Sequence, residues 1–277
     1  MFALLQQILP KRLITHFVGV FAMVRWRPIK NTLIRLFIRG YQVDMSTSER
    51  ETPEEFENFA DFFARELKAG LRATPTDSSI ITSPVDGMVS QFGTIDQGKL
   101  LQAKGHTYSV EELVGQCCVD LDGGSFLTLY LDPSMYHRVH APIDATLSKT
   151  IEIPGKLFSV NAPSVRGVPN LFCQNERLVC NLRTDLGEVR LVLVGALIVA
   201  SIMTSWPGPQ SPFRQRVERL PEGVQFRRAE ELARFTLGST AIVLVPSSFG
   251  VLDKFEPGSP VKMGERIGFK RDRTETP

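Results

Sequence analysis

Only four cysteines occur in the 277 residues, and none belongs to a CxxC pair. Cys117 and Cys118 are neighbours, which cannot readily bridge each other, and Cys173 and Cys180 have no histidine at ligand spacing. A disulfide framework is therefore excluded, and reduced, cytosol-facing thiols are expected. Histidine is equally scarce at four, without an HExxH pattern, so no metal is expected. The Gly-x-Ser-x-Gly elbow of α/β-hydrolases is missing, which argues against a serine hydrolase built on that turn. Long apolar runs are missing too. The uncharged stretch Leu13 to Val24 spans 12 residues, and Val189 to Met203, interrupted by Gly195, is also shorter than the roughly 20 needed to cross a bilayer. Nor is there an internal repeat or a low-complexity tract.

Acid is absent from residues 1–43, which carry Lys11, Arg12, Arg25, Arg27, Lys30, Arg35 and Arg39. The overall charge of +2 hides this asymmetry, since the remainder of the chain is net acidic. Bases alternate there with apolar residues at helical spacing, and Trp26 stands at a junction. That combination suits helices lying in the headgroup region of an anionic membrane, and no secretory cleavage site follows it. A targeting peptide and an ordinary core-facing helix are the competing readings.

With 43% apolar residues the chain can bury a sizeable core. Thr52-Pro53-Glu54-Glu55 reads as a helix start, with Thr52 as cap and Glu55 three residues on, and one helix is predicted to run to Leu67 with Phe56, Phe59, Phe63 and Leu67 on one face. From about Ile80 the texture changes to short β-branched runs broken by Gly, Pro and Asp. Strands are predicted within 87–90, 125–131, 145–153, 177–182 and 189–203, and residues 204–234, rich in Pro, Gly and charge, as one long loop. The fold class expected is α+β: N-terminal membrane-associating helices in residues 1–70, then a mostly antiparallel β catalytic domain in 71–277.

Three short segments carry chemistry. In Leu237-Gly238-Ser239-Thr240, just ahead of an apolar run, the Ser239 hydroxyl can reach the preceding carbonyl. The chain could then cut itself and convert Ser239 into a pyruvoyl group, the electron sink of a decarboxylase. The plain alternative is a turn residue followed by a locally bonded hydroxyl. In Tyr136-His137-Arg138-Val139-His140 two histidines are three apart, on opposite faces of an extended strand unless a bend aims both at one pocket. In Pro84-Val85-Asp86-Gly87 a turn holds one carboxylate, which is either solvated or orients a histidine that deprotonates Ser239.

These segments, with Leu101 to His106, Val168-Pro169-Asn170-Leu171-Phe172, Asn175-Glu176-Arg177 and Tyr41 to Met45, resemble the motifs of the bacterial phosphatidylserine decarboxylase proenzymes, in the same order along the chain. The resemblance implies self-cleavage between Gly238 and Ser239 into a β subunit (1–238) and an α subunit (239–277). It assigns Asp86 and His140 to the processing triad and His137 to decarboxylation. It also implies a pyruvoyl cofactor from Ser239, phosphatidylserine as substrate and phosphatidylethanolamine as product. The partners it implies are a second copy of the chain and an anionic membrane at the cytoplasmic face of the cell membrane, with no nucleic acid. A pyruvoyl decarboxylase of a free amino acid, or a membrane-surface binding module that never cleaves, are the alternatives.

Overall fold

The computed structural model describes residues 11–103, 106–196, 202–209, 211–236 and 239–271. Two helices open the described chain, α1 (Lys11–Ala22) and α2 (Arg27–Tyr41). Pro28 sits in the first turn of α2, where its missing N–H costs nothing, and Gln42 closes the helix in a left-handed conformation with its N–H on the Ile38 carbonyl. The acid-free face of α2 docks on the acidic turn Pro53–Glu55. The Lys30 ammonium donates to the Phe56 carbonyl, the Asn31 amide donates to Glu54 at 3.1 Å, and Arg35 pairs with Glu54.

The helix expected from Thr52 to Leu67 is two pieces. Thr52 and Glu55 do form the reciprocal capping box, but the helix they start stops after one 3-10 turn. Asn58, in extended conformation, starts a second helix, α3 (Phe59–Phe63), by accepting from the Asp61 N–H at 2.9 Å. Two caps six residues apart compete, and a cap side chain favours extended backbone at its own position. The break lets Phe56, Phe59, Phe62 and Phe63 all reach one core with Ile34, Val43 and Ala22. Phe37 stands edge-on to Phe59, Phe62 and Phe63 at 5.1–5.9 Å between centroids.

The remainder is mostly antiparallel sheet, with short helices at Val110–Val114, Ala162–Gly167 and Leu171–Gln174. Strands β1 (Ile80–Thr82), β2 (Gly87–Thr94), β3 (Lys99–Ala103), β4 (His106–Ser109), β5 (Ser125–Leu131), β6 (Arg138–His140), β7 (Ala145–Ile153), β8 (Arg177–Thr184) and β9 (Gly187–Gly195) come first. Then follow β10 (Ile202–Thr204), β11 (Val217–Arg219), β12 (Gln225–Phe226), β13 (Glu231–Phe235), β14 (Ser239–Val245), β15 (Gly250–Leu252), β16 (Pro260–Val261) and β17 (Arg266–Lys270). The main sheet runs β11-β7-β8-β9-β14-β5-β2-β16, with β12 also paired to β7; β10-β13-β6 and β1-β17-β15 form two smaller sheets.

Both faces of the main sheet are covered, which is why its strands read as unbroken apolar runs rather than alternating ones. Along β14, Ala241, Val243 and Val245 enter one core and Ile242 and Leu244 the other; β9 divides in the same way. The predicted run 189–203 is two elements: β9 ends at Gly195, and Ile202 begins β10 in a different sheet, while residues 197–201 lie outside the described residues. The predicted loop 204–234 is likewise pinned, by β11 and β12 on the edge strand β7. Three-residue and two-residue strands leave almost no periodic signal among prolines and glycines.

Candidate active site

Ser239 is the first residue of β14, a central strand, opposite Leu131 of β5 and Gly195 of β9. Period two puts its side chain on the same face as Ala241 and Val243. That face looks onto the core containing Val139, Phe235 and Ile202, which come from the β10-β13-β6 sheet. Ser239 is fully buried, and its hydroxyl has no hydrogen-bond partner among the described residues. Leu237 and Gly238 lie outside the described residues.

Register brings the other candidates to the same sheet end. Leu131, facing Ser239, is the last residue of β5, and the chain continues from it through a turn into Tyr136, His137 and β6. The turn is made by Asp132, whose carboxylate accepts from both the N–H and the hydroxyl of Ser134. Tyr130 of β5 faces Met88 of β2, so Asp86, just ahead of β2, lies at this end as well. A Cβ at Gly87 would stand 3.2 Å from both the Leu129 Cβ and the Tyr130 oxygen, so the residue after Asp86 is one that permits this close approach. β13 closes the arrangement: the Phe235 N–H donates to the His137 carbonyl at 2.9 Å, four residues before Ser239.

Extended backbone separates the two histidines. His137 falls on the side of Val139, whereas Tyr136, Arg138 and His140 share the other, where the Tyr136 and His140 rings stack at 5.6 Å. The His137 ring lies against Phe63, 4.1 Å between centroids. Its Nδ1 sits 2.9 Å from the Met135 carbonyl, which only accepts, so Nδ1 carries the proton and Nε2 is bare. Nε2 is buried and without a partner among the described residues. Burial pushes His137 down to about 3, so the imidazole is neutral. His140 is anchored in the same sense, Nδ1–H to the Ala229 carbonyl at 2.7 Å, while Nε2 takes the Tyr136 hydroxyl at 2.9 Å. Burial raises Tyr136, keeping its proton in place to be donated, and lowers His140.

Asp86 does not hydrogen-bond His140. Its carboxylate is held by the Arg72 guanidinium, Nε at 3.0 Å with Nη2 on the second oxygen, and by the Met263 N–H at 2.8 Å. The link to His140 is through space, the carboxylate favouring a charged imidazole, and the His140 N–H donates to the Pro84 carbonyl two residues from Asp86. Met263 also shows that the C-terminal segment is part of this site.

The other segments that carry the family resemblance are scaffold. Asn175 donates to the carbonyls of Phe158 and of Gly195, the residue facing Ser239, and Glu176 accepts the Gly195 N–H on its own carbonyl. Arg177 is spent on the carbonyls of Leu113, Glu112, Cys173 and Asn175. Gln102 bonds Val165 and Val168 carbonyls and the Leu171 N–H. A cleft of about 760 Å³ is lined by Asp144, Arg183, Arg227 and Lys270 among others, and by none of the four candidate residues. Among the described residues no group of three metal-ligating side chains assembles, and the four cysteines are unpaired.

Residues that motif reading passed over also converge here. Arg72 neutralises Asp86. Arg138 reaches from β6 to the Ala64 carbonyl, Glu66 and Glu231. Arg65, just past α3, donates through Nη2 to the Ser134 and Met135 carbonyls. The one sequence signal for Arg65 is a base standing directly after an aromatic, apolar stretch, Phe62-Phe63-Ala64.

The family described as phosphatidylserine decarboxylase matches residues 59–269, and a further family, described as PSD, matches residues 1–42. A phosphatidylserine decarboxylase proenzyme of Methylibium petroleiphilum is 44% identical over 96% of this chain and 96% of that protein. One from Vibrio cholerae is 44% identical over 94% of this chain and 95% of that protein, and one from Stutzerimonas stutzeri 42% identical over 97% and 94%. With a family match across the whole β region and relatives this similar from end to end, the chain belongs to the phosphatidylserine decarboxylase family.

Proposed function

We propose that the chain decarboxylates phosphatidylserine to phosphatidylethanolamine and CO2, after cutting itself between Gly238 and Ser239 into β (1–238) and α (239–277) subunits. The observation that carries this reading is the Ser239 hydroxyl, buried without a partner at the sheet end where Asp86, His137 and His140 gather. An orphaned buried hydroxyl costs about 1–3 kcal/mol. Its retention fits a group kept for reaction rather than for packing.

In self-cleavage His140 is the base. With Nδ1–H fixed on Ala229, only Nε2 can take up a proton, and the Tyr136 hydroxyl is hydrogen-bonded to it. Asp86 favours the resulting imidazolium through its field while Arg72 holds the carboxylate in place. The Ser239 oxygen attacks the Gly238 carbonyl and the amide nitrogen leaves with a proton, giving an ester. Loss of the α-proton of residue 239 then expels the Gly238 carboxylate, and water replaces the nitrogen, which departs as ammonia.

The pyruvoyl group so formed supplies a ketone next to an amide carbonyl, which takes up the electron pair released with CO2. His137 manages the proton. Held neutral with Nε2 bare, it first accepts a proton from the substrate ammonium and then delivers it to the headgroup carbon that CO2 has left.

The membrane part of the reading rests on α1 and α2. Phe17, Val20, Phe21, Trp26 and Leu36 are each more than half exposed, beside Arg27 and Arg39, which form no ion pair among the described residues. No described helix is long and apolar enough to cross a membrane, so these side chains enter the headgroup layer from one side. The helical region 1–70, the cytoplasmic face of the cell membrane and a homodimer complete the proposal and rest on the family resemblance.

Intact mass under denaturing conditions tests it. Two polypeptides, 1–238 and 239–277, the smaller lighter than its sequence by one ammonia, are expected. A single full-length mass from material that releases CO2 would remove the mechanism.

A further inference from the structure

Arg65 is a buried cation on which the acids Asp86 and Asp44 act only through space. It is 3% exposed and forms no ion pair among the described residues, unlike Arg72, Arg138 and Arg190, each of which bonds a carboxylate. One nitrogen, Nη2, is spent on the Ser134 carbonyl at 2.6 Å and the Met135 carbonyl at 3.3 Å. The other two, Nε and Nη1, are buried without partners among the described residues, so three N–H donors are left unmatched there. An unpaired guanidinium in a protein interior costs several kcal/mol. Ordinary packing does not require it, because a shorter side chain would reach the apolar Phe62 face without bringing the charge.

The position of those donors is informative. The Met135 carbonyl that accepts from Arg65 also accepts from His137 Nδ1, at 2.9 Å. Guanidinium and imidazole therefore meet on a single oxygen, and both present unpartnered nitrogens, Nε and Nη1 of Arg65 and Nε2 of His137. The aromatic layer of α3 backs both: Phe62 lies 5.6 Å from the guanidinium, and the Phe63 ring lies tilted against the imidazole at 4.1 Å. A buried, acceptor-seeking cation beside the proposed proton carrier calls for an anion delivered by the substrate.

Phosphatidylserine brings two anions, and the reaction distinguishes them. A guanidinium on the carboxylate would stabilise the charge that must disappear into CO2, and so would hold the ground state below the transition state. The phosphodiester keeps its charge throughout, and gripping it positions the headgroup without opposing the chemistry. We infer, on the basis of the function proposed above, that Arg65 binds the phosphodiester of the lipid headgroup through Nε and Nη1 and so sets the headgroup carbon beside His137. Arg65 would then select glycerophospholipid headgroups over free amino acids, because an amino acid leaves its donors unmatched.

The test uses purified, self-cleaved enzyme and two soluble probes, glycerophosphoethanolamine and ethanolamine, in calorimetric titrations, with inorganic phosphate as a third. For the parent enzyme, glycerophosphoethanolamine should bind at least tenfold more tightly than ethanolamine. In Arg65→Gln that advantage should fall by about 10- to 100-fold, the worth of charge-assisted hydrogen bonds, while ethanolamine is unaffected. Turnover of dispersed phosphatidylserine should show the loss in KM more than in kcat. Arg65→Lys keeps the charge and a donor for Ser134, and should restore part of the phosphodiester advantage; it also serves if the Gln variant does not fold. Equal affinity of parent and both variants for glycerophosphoethanolamine, or a loss shared by ethanolamine, overturns the assignment and leaves Arg65 as a staple on the 134–135 turn. Inorganic phosphate bound as tightly as the diester would also overturn it, as a free-anion site. A parent enzyme that releases no CO2 from phosphatidylserine would instead defeat the function on which the inference rests.

Discussion

In α1 and α2 large apolar side chains face outward, with Phe17 at 61% and Leu36 at 63% exposure, whereas all seven residues of β14 are buried. The helical region keeps a small core of Phe56, Phe59, Phe62 and Phe63 and holds itself together with exposed pairs such as Arg25–Glu57 and Arg35–Glu54, each worth little in water. The β region has two cores on either side of one sheet and uses its polar groups internally, on carbonyls and on strand ends. The contrast teaches that the buried cores and the exposed apolar side chains belong to different parts of the chain, and under the proposed function the seam between them holds the chemistry. Phe63, Ala64, Arg65 and Glu66, from the helical side, touch His137, the 134–135 turn and Arg138 from the sheet side.

The sharpest test of the β side is Ser239→Ala. It should leave one 277-residue chain without decarboxylase activity, and a cleaved or active product would break the assignment. Next, His137→Ala should still cleave yet lose about 10³-fold in CO2 release, within the range for a positioned acid–base group. An uncut product would mean that the two histidines have exchanged roles.

The seam is probed by Arg138→Met. Removing a buried guanidinium that bridges Ala64, Glu66 and Glu231 should cost about 2 kcal/mol in chemical denaturation, less than a fully buried pair because Glu66 is more than half exposed. If stability is unchanged, the helical and sheet regions are joined chiefly by the Phe63–His137 contact instead.

On the helical side, Phe21→Glu or Trp26→Glu should weaken binding to vesicles containing anionic lipid by about tenfold each, without altering cleavage. Unchanged binding would erase the distinction between the two regions. Finally, pH should act on the buried side. The folded His137, near 3, lies below its unfolded value of about 6.5, so under that pH the unfolded chain takes up a proton that the folded chain refuses. Stability should therefore fall as pH drops from about 6.5 toward 3, by at most about 1.4 kcal/mol per unit from this group, and His137→Phe should flatten that slope.

Local pattern was enough wherever the signal lies within a few residues of its cause. The capping box at Thr52 and Glu55, the α+β division near Ile80 and the strands about Ser125 and Ala145 follow from spacing and residue type. The orders of Asp86, His137, His140 and Ser239 along the chain, and their neighbouring residues, were sufficient to mark a site by resemblance. What the string could not show was competition. Asn58 outbids the continuing helix because its side chain caps a second one, and β11 and β12 exist because an edge strand is waiting for them.

The sequence by itself determined which groups can react and which face of each helix is apolar, because hydroxyls, imidazoles and hydrophobic periodicity are properties of residues and their immediate spacing. Tertiary structure decided which nitrogen of each histidine is free, that Asp86 is taken by Arg72 and Met263, and that Arg65 stands beside His137 with its donors unmatched. Those outcomes depend on carbonyls and charges supplied from segments up to 177 residues away, as with Asp86 and Met263. Burial then sets what each group can do, since the same imidazole that titrates near neutrality in water is held neutral once its charged form has lost its solvent.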